Sequence, residues 1–170
     1  DANNCSIPLT SHPDIDRIAF TGGTETAKEI IKNSSNNFAA TNLELGGKSP
    51  LIVFEDADIE SAANGIIAGN FGASGQSCVA GSRVIVEKNI ASKLIELIKQ
   101  KSQKIVVGNP LDNQTNLGPL CTKKQIELIE ETIQKSIKQG GDIIFGGKRV
   151  ETEGNYFEPT LIHCPDQNIE

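Results

Sequence analysis

Residues 15–33 read IDRIAFTGGTETAKEIIKN and contain the pattern from which the fold class follows. The apolar residues within 15–20 predict a short β-strand. The two glycines Gly22 and Gly23 then form a turn, and a helix is predicted over residues 24–33. A strand that enters a helix through glycines is the basic unit of an α/β domain.

The same alternation of strands and helices continues along the chain. Further strands are predicted over residues 39–45, 50–54, 84–87, 143–145 and 156–163, and helices over residues 59–71, 91–103 and 123–139. Alternating elements with few aromatic residues (4%) favour strands that run in one direction. The predicted fold class is therefore α/β, with a largely parallel sheet flanked by helices.

The turn around Gly22, Gly23 and Thr24 is a candidate anion site. The first backbone N–H groups of a helix have no partner within the helix, and the helix dipole is positive at that end. The pyrophosphate of a dinucleotide suits such a turn. The stretch lacks the pattern G-x-G-x-x-G, and many strand-to-helix turns have this general form, so the pattern alone is weak evidence for a cofactor.

Glu44 is a candidate general base. It lies between Leu43 and Leu45 near the end of a predicted strand, so the two leucines share one face of the strand and Glu44 takes the other. The turn at residues 46–47, Gly-Gly, is well placed to border a cleft. A partly desolvated carboxylate at such a place is suited to accept a proton from water. The alternative is a surface glutamate on an edge strand.

Cys78 is a candidate nucleophile. Residues 75–82, GQSCVAGS, join a predicted helix to a predicted strand, and small residues flank the cysteine on both sides. Small neighbours allow a substrate to approach the sulfur atom closely. The alternative is a small buried cysteine in a tightly packed corner, because free cysteines are among the most buried residues.

The composition limits the possible functions of the chain. Of its 170 residues, 37% are apolar and 22% are charged, which is sufficient for a folded core. The formal net charge is −6, from 16 basic and 22 acidic residues, and it argues against nucleic acid as a partner. No apolar run reaches the roughly 18 residues of a membrane-spanning helix, so no membrane partner is expected.

The cysteine and methionine contents bear on metal binding, location and completeness. The four cysteines, at positions 5, 78, 121 and 164, include no C-x-x-C pair, so no metal site is predicted. The low cysteine content and a start without signal-peptide features favour reduced thiols and a cytoplasmic location. The chain has no methionine and hence no initiator, which favours a piece of a longer protein.

Three motifs together resemble signatures of the aldehyde dehydrogenase superfamily. A turn similar to the family's F-T-G-S-T-E is found at residues 20–25, and a match to its E-L-G-G-K glutamate signature at residues 43–48. Residues 71–82 resemble its cysteine signature, and Cys78 follows Glu44 by 34 positions. Further matches are found at residues 51–58, 108–112, 117–120 and 156–160.

The resemblance implies oxidation of a small aldehyde to a carboxylic acid. Cys78 matches the family's nucleophile, which forms a thiohemiacetal and, after hydride transfer, a thioester. Glu44 matches the base that activates water to hydrolyse this thioester, which favours a non-acylating enzyme. Two alternatives stay open. One is a relative that passes the acyl group to coenzyme A, and the other is a non-catalytic structural or oligomerising domain of the same fold.

The resemblance also implies a cofactor, NAD or NADP. The turn at residues 22–24 matches the segment near the cofactor pyrophosphate, and Leu45 and Gly46 match the strand end that lies against the nicotinamide. The family often has serine where Gly23 stands, so only backbone groups are expected to contact a phosphate there. It often has asparagine where Ala73 stands, and a consequence for packing is expected from this difference.

By the same resemblance, residues 1–46 form the C-terminal part of a dinucleotide-binding domain, and residues 47–170 form a catalytic domain that is incomplete at its C-terminus. Family members are longer, and their upstream cofactor-binding strands and downstream E-x-F-G-P motif have no counterpart in this sequence. The chain is therefore expected to be a central segment of a homo-oligomeric enzyme and to be inactive on its own. The segment does not identify the aldehyde or decide between NAD and NADP.

Overall fold

The computed structural model describes residues 2–166, and the chain divides after Gly47 into two compact units. Both units combine helices with parallel strands, so the predicted α/β class is confirmed. Residue 1 and residues 167–170 of the predicted domains lie outside the described residues. None of the helices within 2–166 is long and apolar enough to cross a membrane.

The first unit is built around one parallel pair of strands. Its elements are α1 (Ala2–Thr10), β1 (Arg17–Gly22), α2 (Thr24–Ser34) and β2 (Ala40–Leu45). Arg17 pairs with Ala40, and Gly22 pairs with Leu45. Parallel strands need a crossover connection, and α2 supplies it with Ala27 and Ile30 buried on one face. The carboxyl ends of β1 and β2 therefore lie side by side.

The second unit contains a parallel pair and an antiparallel pair of strands. Its elements are β3 (Pro50–Val53), α3 (Ile59–Phe71), β4 (Arg83–Val86), α4 (Lys88–Ser102), α5 (Lys123–Lys138), β5 (Asp142–Phe145) and β6 (Leu161–His163). β3 and β4 are parallel, whereas β5 and β6 are antiparallel with an irregular register at residues 143–145. In the described part of the chain, the strands thus form separate two-stranded sheets rather than one continuous sheet.

The main core of the second unit lies between α3, α4 and one face of the β3–β4 pair. Its buried members are Val53, Ala63, Ile66, Leu94 and Ile98. The opposite face of the pair is apolar but not covered. Ile52 lies opposite Ile85 in the register, and the two residues are 57% and 42% exposed. Parallel sheets are normally covered on both faces, so this bare face is unusual.

Side chains cap the helices α3 and α5 at their first residues. The Asp58 carboxylate accepts a hydrogen bond from the Ser61 N–H at 2.6 Å, and this bond lowers the pKa of Asp58. The Thr122 hydroxyl accepts one from the Gln125 N–H at 3.3 Å. Such caps satisfy backbone donors that a helix leaves unpaired, so they fix where each helix begins.

The structure differs from the sequence prediction at both ends of the chain. The helix α1 was not predicted, since its sequence is polar and contains Pro8. The strand predicted over residues 156–163 is confined to residues 161–163. Pro159 lacks an N–H for a strand ladder, and the Thr160 hydroxyl donates to the Glu158 carbonyl at 2.8 Å. Before residue 161, Phe157 forms only an isolated bridge, with Arg149.

Gly146 has a positive φ of 75° next to the segment that precedes β6. A Cβ at this position would clash with the Pro159 carbonyl oxygen and lie 2.8 Å from Thr160 Oγ1. Gly140 also has a positive φ, 97°, but nothing lies within 4 Å of a Cβ there. Steric contacts therefore require glycine at position 146 but not at position 140, so the two positions form a matched pair for a test.

We expect Gly146→Ala to lower the free energy of unfolding by about 3 kcal/mol or more, because a steric clash adds to backbone strain. Gly140→Ala, the control, should lower it by only about 1–2 kcal/mol, the cost of left-handed backbone in alanine. Urea unfolding of the two variants and the parent protein measures both effects. Equal losses for the two variants would contradict the close packing of Gly146.

Candidate active site

Cys78 lies at the surface on a tight turn between α3 and β4. Residues 77–80 form this turn, which is closed by a hydrogen bond from the Ala80 N–H to the Ser77 carbonyl at 3.2 Å. The neighbouring Val79 is 79% exposed. Cys78 is itself exposed and is not buried in a packed corner. The helix α3 returns the chain to the start of β4, so the cysteine lies at the amino end of the β3–β4 pair.

The turn directly before the cysteine has unusual backbone angles. Three consecutive residues, Ala73, Ser74 and Gly75, have φ values of 51°, 55° and 70°. Left-handed backbone costs a residue with a side chain about 1–2 kcal/mol. Glycine does not bear this cost, and asparagine bears less of it than most residues. The consequence of alanine at position 73 is therefore backbone strain, whereas the sequence led us to expect a change in packing.

Two side chains connect this left-handed turn to a segment 44 residues further along the chain. The Ser74 hydroxyl donates to the Gly118 carbonyl at 3.1 Å. The Gln76 side-chain oxygen accepts from the Cys121 N–H at 3.1 Å. We call residues 118–121 the anchor segment. It contains most of the L-G-P-L stretch that the sequence analysis noted without assigning it a role.

The anchor segment is itself held in place on both sides. On one side, the Gly108 N–H donates to the Leu117 carbonyl at 3.0 Å. Within the segment, the Leu120 N–H donates to the Asn155 carbonyl at 2.8 Å, and the Leu120 side chain is buried. On the other side, the segment leads directly into the capped start of α5. The anchor segment is thus a fixed part of the second unit.

In the first unit, the candidate cofactor residues and Glu44 lie at the carboxyl ends of β1 and β2. The register places Gly22 opposite Leu45 and Thr21 opposite Glu44. Glu44 is exposed, so the described chain does not supply the partial desolvation that the sequence led us to expect. Gly46 follows directly after β2 and is also exposed. The carboxyl end of this strand pair therefore brings together the turn at residues 22–24 and the glutamate motif at residues 43–48.

The start of α2 is open to an anion. Gly23 is the N-cap residue, and no side chain caps the helix there. Its φ of −78° and ψ of 148° are extended values that any residue adopts, and nothing lies within 4 Å of a Cβ at Gly23. Backbone N–H groups at the start of α2 are thus left for a ligand.

Glu25 and Lys28 form an ion pair on the first turns of α2. Lys28 donates to Glu25 at 2.8 Å, and this hydrogen bond with its positive charge lowers the pKa of Glu25. The pair offsets the negative charge of Glu25 near the helix start.

Within residues 2–166, no group of three or more His, Cys, Asp or Glu side chains is arranged to hold a metal ion.

Comparison with known proteins identifies the family. The sequence matches the model of the aldehyde dehydrogenase family over residues 2–170. The chain belongs to the aldehyde dehydrogenase family. This family consists of NAD(P)-dependent oxidoreductases, so the resemblance seen in the three motifs is confirmed.

Individual aldehyde dehydrogenases match almost the whole chain. This chain is 49% identical over 160 residues to (Z)-2-((N-methylformamido)methylene)-5-hydroxybutyrolactone dehydrogenase of Acinetobacter baylyi. The match covers 94% of this chain and 33% of that protein. It is 36% identical over 154 residues to the NADP(+) succinate-semialdehyde dehydrogenase of Escherichia coli, covering 91% and 32%. The crystal structure of betaine aldehyde dehydrogenase from Staphylococcus aureus with NAD+ has a TM-score of 0.90 at 37% identity, covering 95% and 33%. The chain spans about a third of the length of these relatives.

Ala73 provides a test of the strained turn of this aldehyde dehydrogenase chain. We expect Ala73→Asn to raise the free energy of unfolding by about 0.5–1 kcal/mol, because asparagine tolerates left-handed backbone better than alanine. Ala68→Asn is the control, since Ala68 is an exposed residue of the right-handed helix α3. It should lower stability by about 0.5 kcal/mol through helix propensity. A loss of stability in both variants, measured by urea unfolding, would refute the strain at Ala73.

Proposed function

We propose that this chain is the central part of an NAD(P)-dependent, non-acylating aldehyde dehydrogenase, which converts a small aldehyde to a carboxylic acid. The exposed Cys78 on its tight turn is the observation that supports this most directly. Residues 1–46 belong to the dinucleotide-binding domain in this proposal, and residues 47–170 to the catalytic domain. Names of the relatives include betaine aldehyde and succinate-semialdehyde dehydrogenases, which supports a small aldehyde as the substrate class.

Cys78 is the proposed nucleophile. Its thiolate attacks the aldehyde carbonyl carbon, which forms a carbon–sulfur bond and leaves an oxyanion that becomes the thiohemiacetal. Among the described residues, the Cys78 backbone N–H has no hydrogen-bond acceptor, so it is available to stabilise that oxyanion. Loss of a hydride from the thiohemiacetal carbon and of the proton from its oxygen leaves the acyl group on Cys78 as a thioester, and bound NAD(P) would accept the hydride.

Glu44 is the proposed general base. It accepts a proton from a water molecule, whose oxygen attacks the thioester carbon and releases the carboxylic acid and the Cys78 thiolate. Its exposed position at the end of β2 supports this role, because water has direct access to the carboxylate. A hydrolytic base at this position favours a free acid over transfer of the acyl group to coenzyme A.

The residues of the first unit fit a dinucleotide. The uncapped start of α2 after Gly22, Gly23 and Thr24 offers backbone donors to a pyrophosphate, and the open space at Gly23 permits close approach. Leu45 and Gly46, at the neighbouring strand end, are the proposed contacts to the nicotinamide. When bound, NAD(P) supplies the hydride acceptor for the oxidation.

Two substitutions in the active enzyme test the proposed roles. Cys78→Ser should lower kcat for aldehyde oxidation by more than about 10³-fold, because it removes the nucleophile. Glu44→Gln should slow formation of the carboxylic acid by about 10²-fold and leave an acyl thioester on Cys78. Mass spectrometry of peptides, after incubation of the enzyme with aldehyde and NAD(P) and proteolytic digestion, detects this thioester as added mass on the peptide that contains Cys78.

Cys164→Ser and Glu96→Gln are the matched controls, since both residues are exposed and lie outside the proposed site. Each should keep kcat within about twofold of the parent. Full aldehyde oxidation by Cys78→Ser would overturn the mechanism. Formation of an acyl-coenzyme A product, in place of the free acid, would replace it with the acylating alternative.

The isolated 170-residue chain should not turn over aldehyde with either NAD or NADP. It spans about a third of the relatives' length, and the proposed cofactor contacts at residues 22–24, Leu45 and Gly46 cover only part of a dinucleotide. The absorbance of reduced nicotinamide at 340 nm measures turnover. Turnover by the purified chain at the rate of the full-length enzyme would contradict the proposal that it is a segment.

A further inference from the structure

We propose that Gln76 and Ser74 are positioning residues, which hold the left-handed turn against the anchor segment and thereby fix the location of the Cys78 sulfur. The proposal rests on the proposed function of Cys78 as the nucleophile. In this proposal the anchor segment, residues 118–121, contributes to the reaction through its backbone, which binds the Ser74 and Gln76 side chains.

The first step concerns the strained backbone. Ala73 and Ser74 both adopt left-handed angles that residues with side chains rarely adopt. Strain of this kind persists only where neighbouring groups hold the backbone in place, and it is concentrated at functional sites. Within the turn, the Gln76 N–H donates to the Ala73 carbonyl at 3.1 Å. The short 3-10 turn at residues 72–75 has local hydrogen bonds, but these do not remove the cost of left-handed angles in Ala73 and Ser74.

The second step concerns the source of that support. Ser74 and Gln76 lie on either side of Gly75, and both bond to backbone atoms of the anchor segment, at Gly118 and Cys121. Two bonds from one short turn to one fixed segment restrain both its distance and its rotation. Position 118 also lies close to this contact, since a Cβ there would be 3.6 Å from Ser74 Oγ.

The third step concerns the space behind the turn. Ser74, Gly75 and Gln76 border a cleft of about 270 Å³, whose walls include Phe71, Leu120 and Phe157. Side chains of the core do not fill this space in the described chain. On this side the turn borders open space, and its two hydrogen bonds to the anchor segment are the polar contacts that restrain it.

The last step leads to the sulfur. Only Ser77 separates Gln76 from Cys78, and the next turn closes immediately at residues 77–80. Any shift of Gln76 is thus passed to Cys78 along two residues of backbone. A displacement of a reacting group by about 1 Å lowers the rate of a chemical step by about 10²-fold. Loss of the Gln76 bond should therefore affect the chemical step and leave aldehyde binding largely unchanged.

The test compares two substitutions of Gln76 in the full-length active enzyme. Gln76→Met keeps the length of the side chain but removes the oxygen that accepts from Cys121. We expect kcat at the pH of its maximum to fall about 10- to 100-fold, with KM for the aldehyde within threefold of the parent value. Gln76→Glu keeps an acceptor oxygen and should restore kcat to within about fivefold. Comparison at each variant's optimum pH allows for the added charge.

Three outcomes would overturn the positioning role: kcat of Gln76→Met within twofold of the parent, a change confined to KM, or equal losses in Gln76→Met and Gln76→Glu. Gln100→Met is the control for the substitution itself, because Gln100 is an exposed glutamine on α4 whose side-chain amide donates to the Glu96 carboxylate at 3.0 Å. This variant should keep the parent kcat.

Ser74→Ala provides a second variant if Gln76→Met does not fold. It removes the bond to Gly118 alone and should lower kcat about 3- to 10-fold, and an unchanged kcat in this variant would overturn the proposal. Cys78→Ser separates the two hypotheses. If it is inactive while the Gln76 and Ser74 variants match the parent, the positioning role fails and the proposed function stands. If Cys78→Ser is fully active, the proposed function itself fails.

Discussion

Parallel strands cannot be joined by a tight turn, and this constraint determines where the candidate functional residues lie in both units. In the first unit, α2 carries the chain from the end of β1 back to the start of β2, so the ends of both strands share one edge. The turn at Gly22 and Gly23 and the carboxylate-bearing Glu44 therefore lie at the same end of the strand pair. In the second unit, α3 makes the same crossover, and the cysteine turn occupies the return connection at the amino edge of β4.

The sequence predicts those elements whose cause is local. Regular apolar spacing and capping side chains define α3 and α5, and β-branched runs define β3 and β4. It does not predict α1, where a polar segment with Pro8 forms a helix, and it overextends β6, because the effect of Pro159 and Thr160 depends on a partner strand. The left-handed angles of Ala73 and Ser74 also escape prediction, since the backbone groups that bond to this turn lie 44 and 45 residues further along the chain.

The candidate site residues were predicted from three short motifs, but their supports were not. Cys78 and Glu44 are both exposed, and no pattern of burial singles them out. Gln76 and Ser74 were visible only as members of the cysteine motif at residues 71–82. Their partners are backbone atoms, which every residue has, so no residue type in the sequence marks them as partners. Long-range bonds between a side chain and the backbone are therefore the part of the site that a sequence reading misses most easily.

The bare face of the β3–β4 pair affects how the 170-residue chain behaves in solution. Ile52 and Ile85 lie side by side on that face, and Phe54, just beyond β3, is 60% exposed. A short two-stranded sheet with open edges and an apolar surface is a template for association with other copies. Recombinant preparations of the 170 residues would therefore self-associate with increasing concentration, and a charged residue in place of Ile85 would improve their solubility.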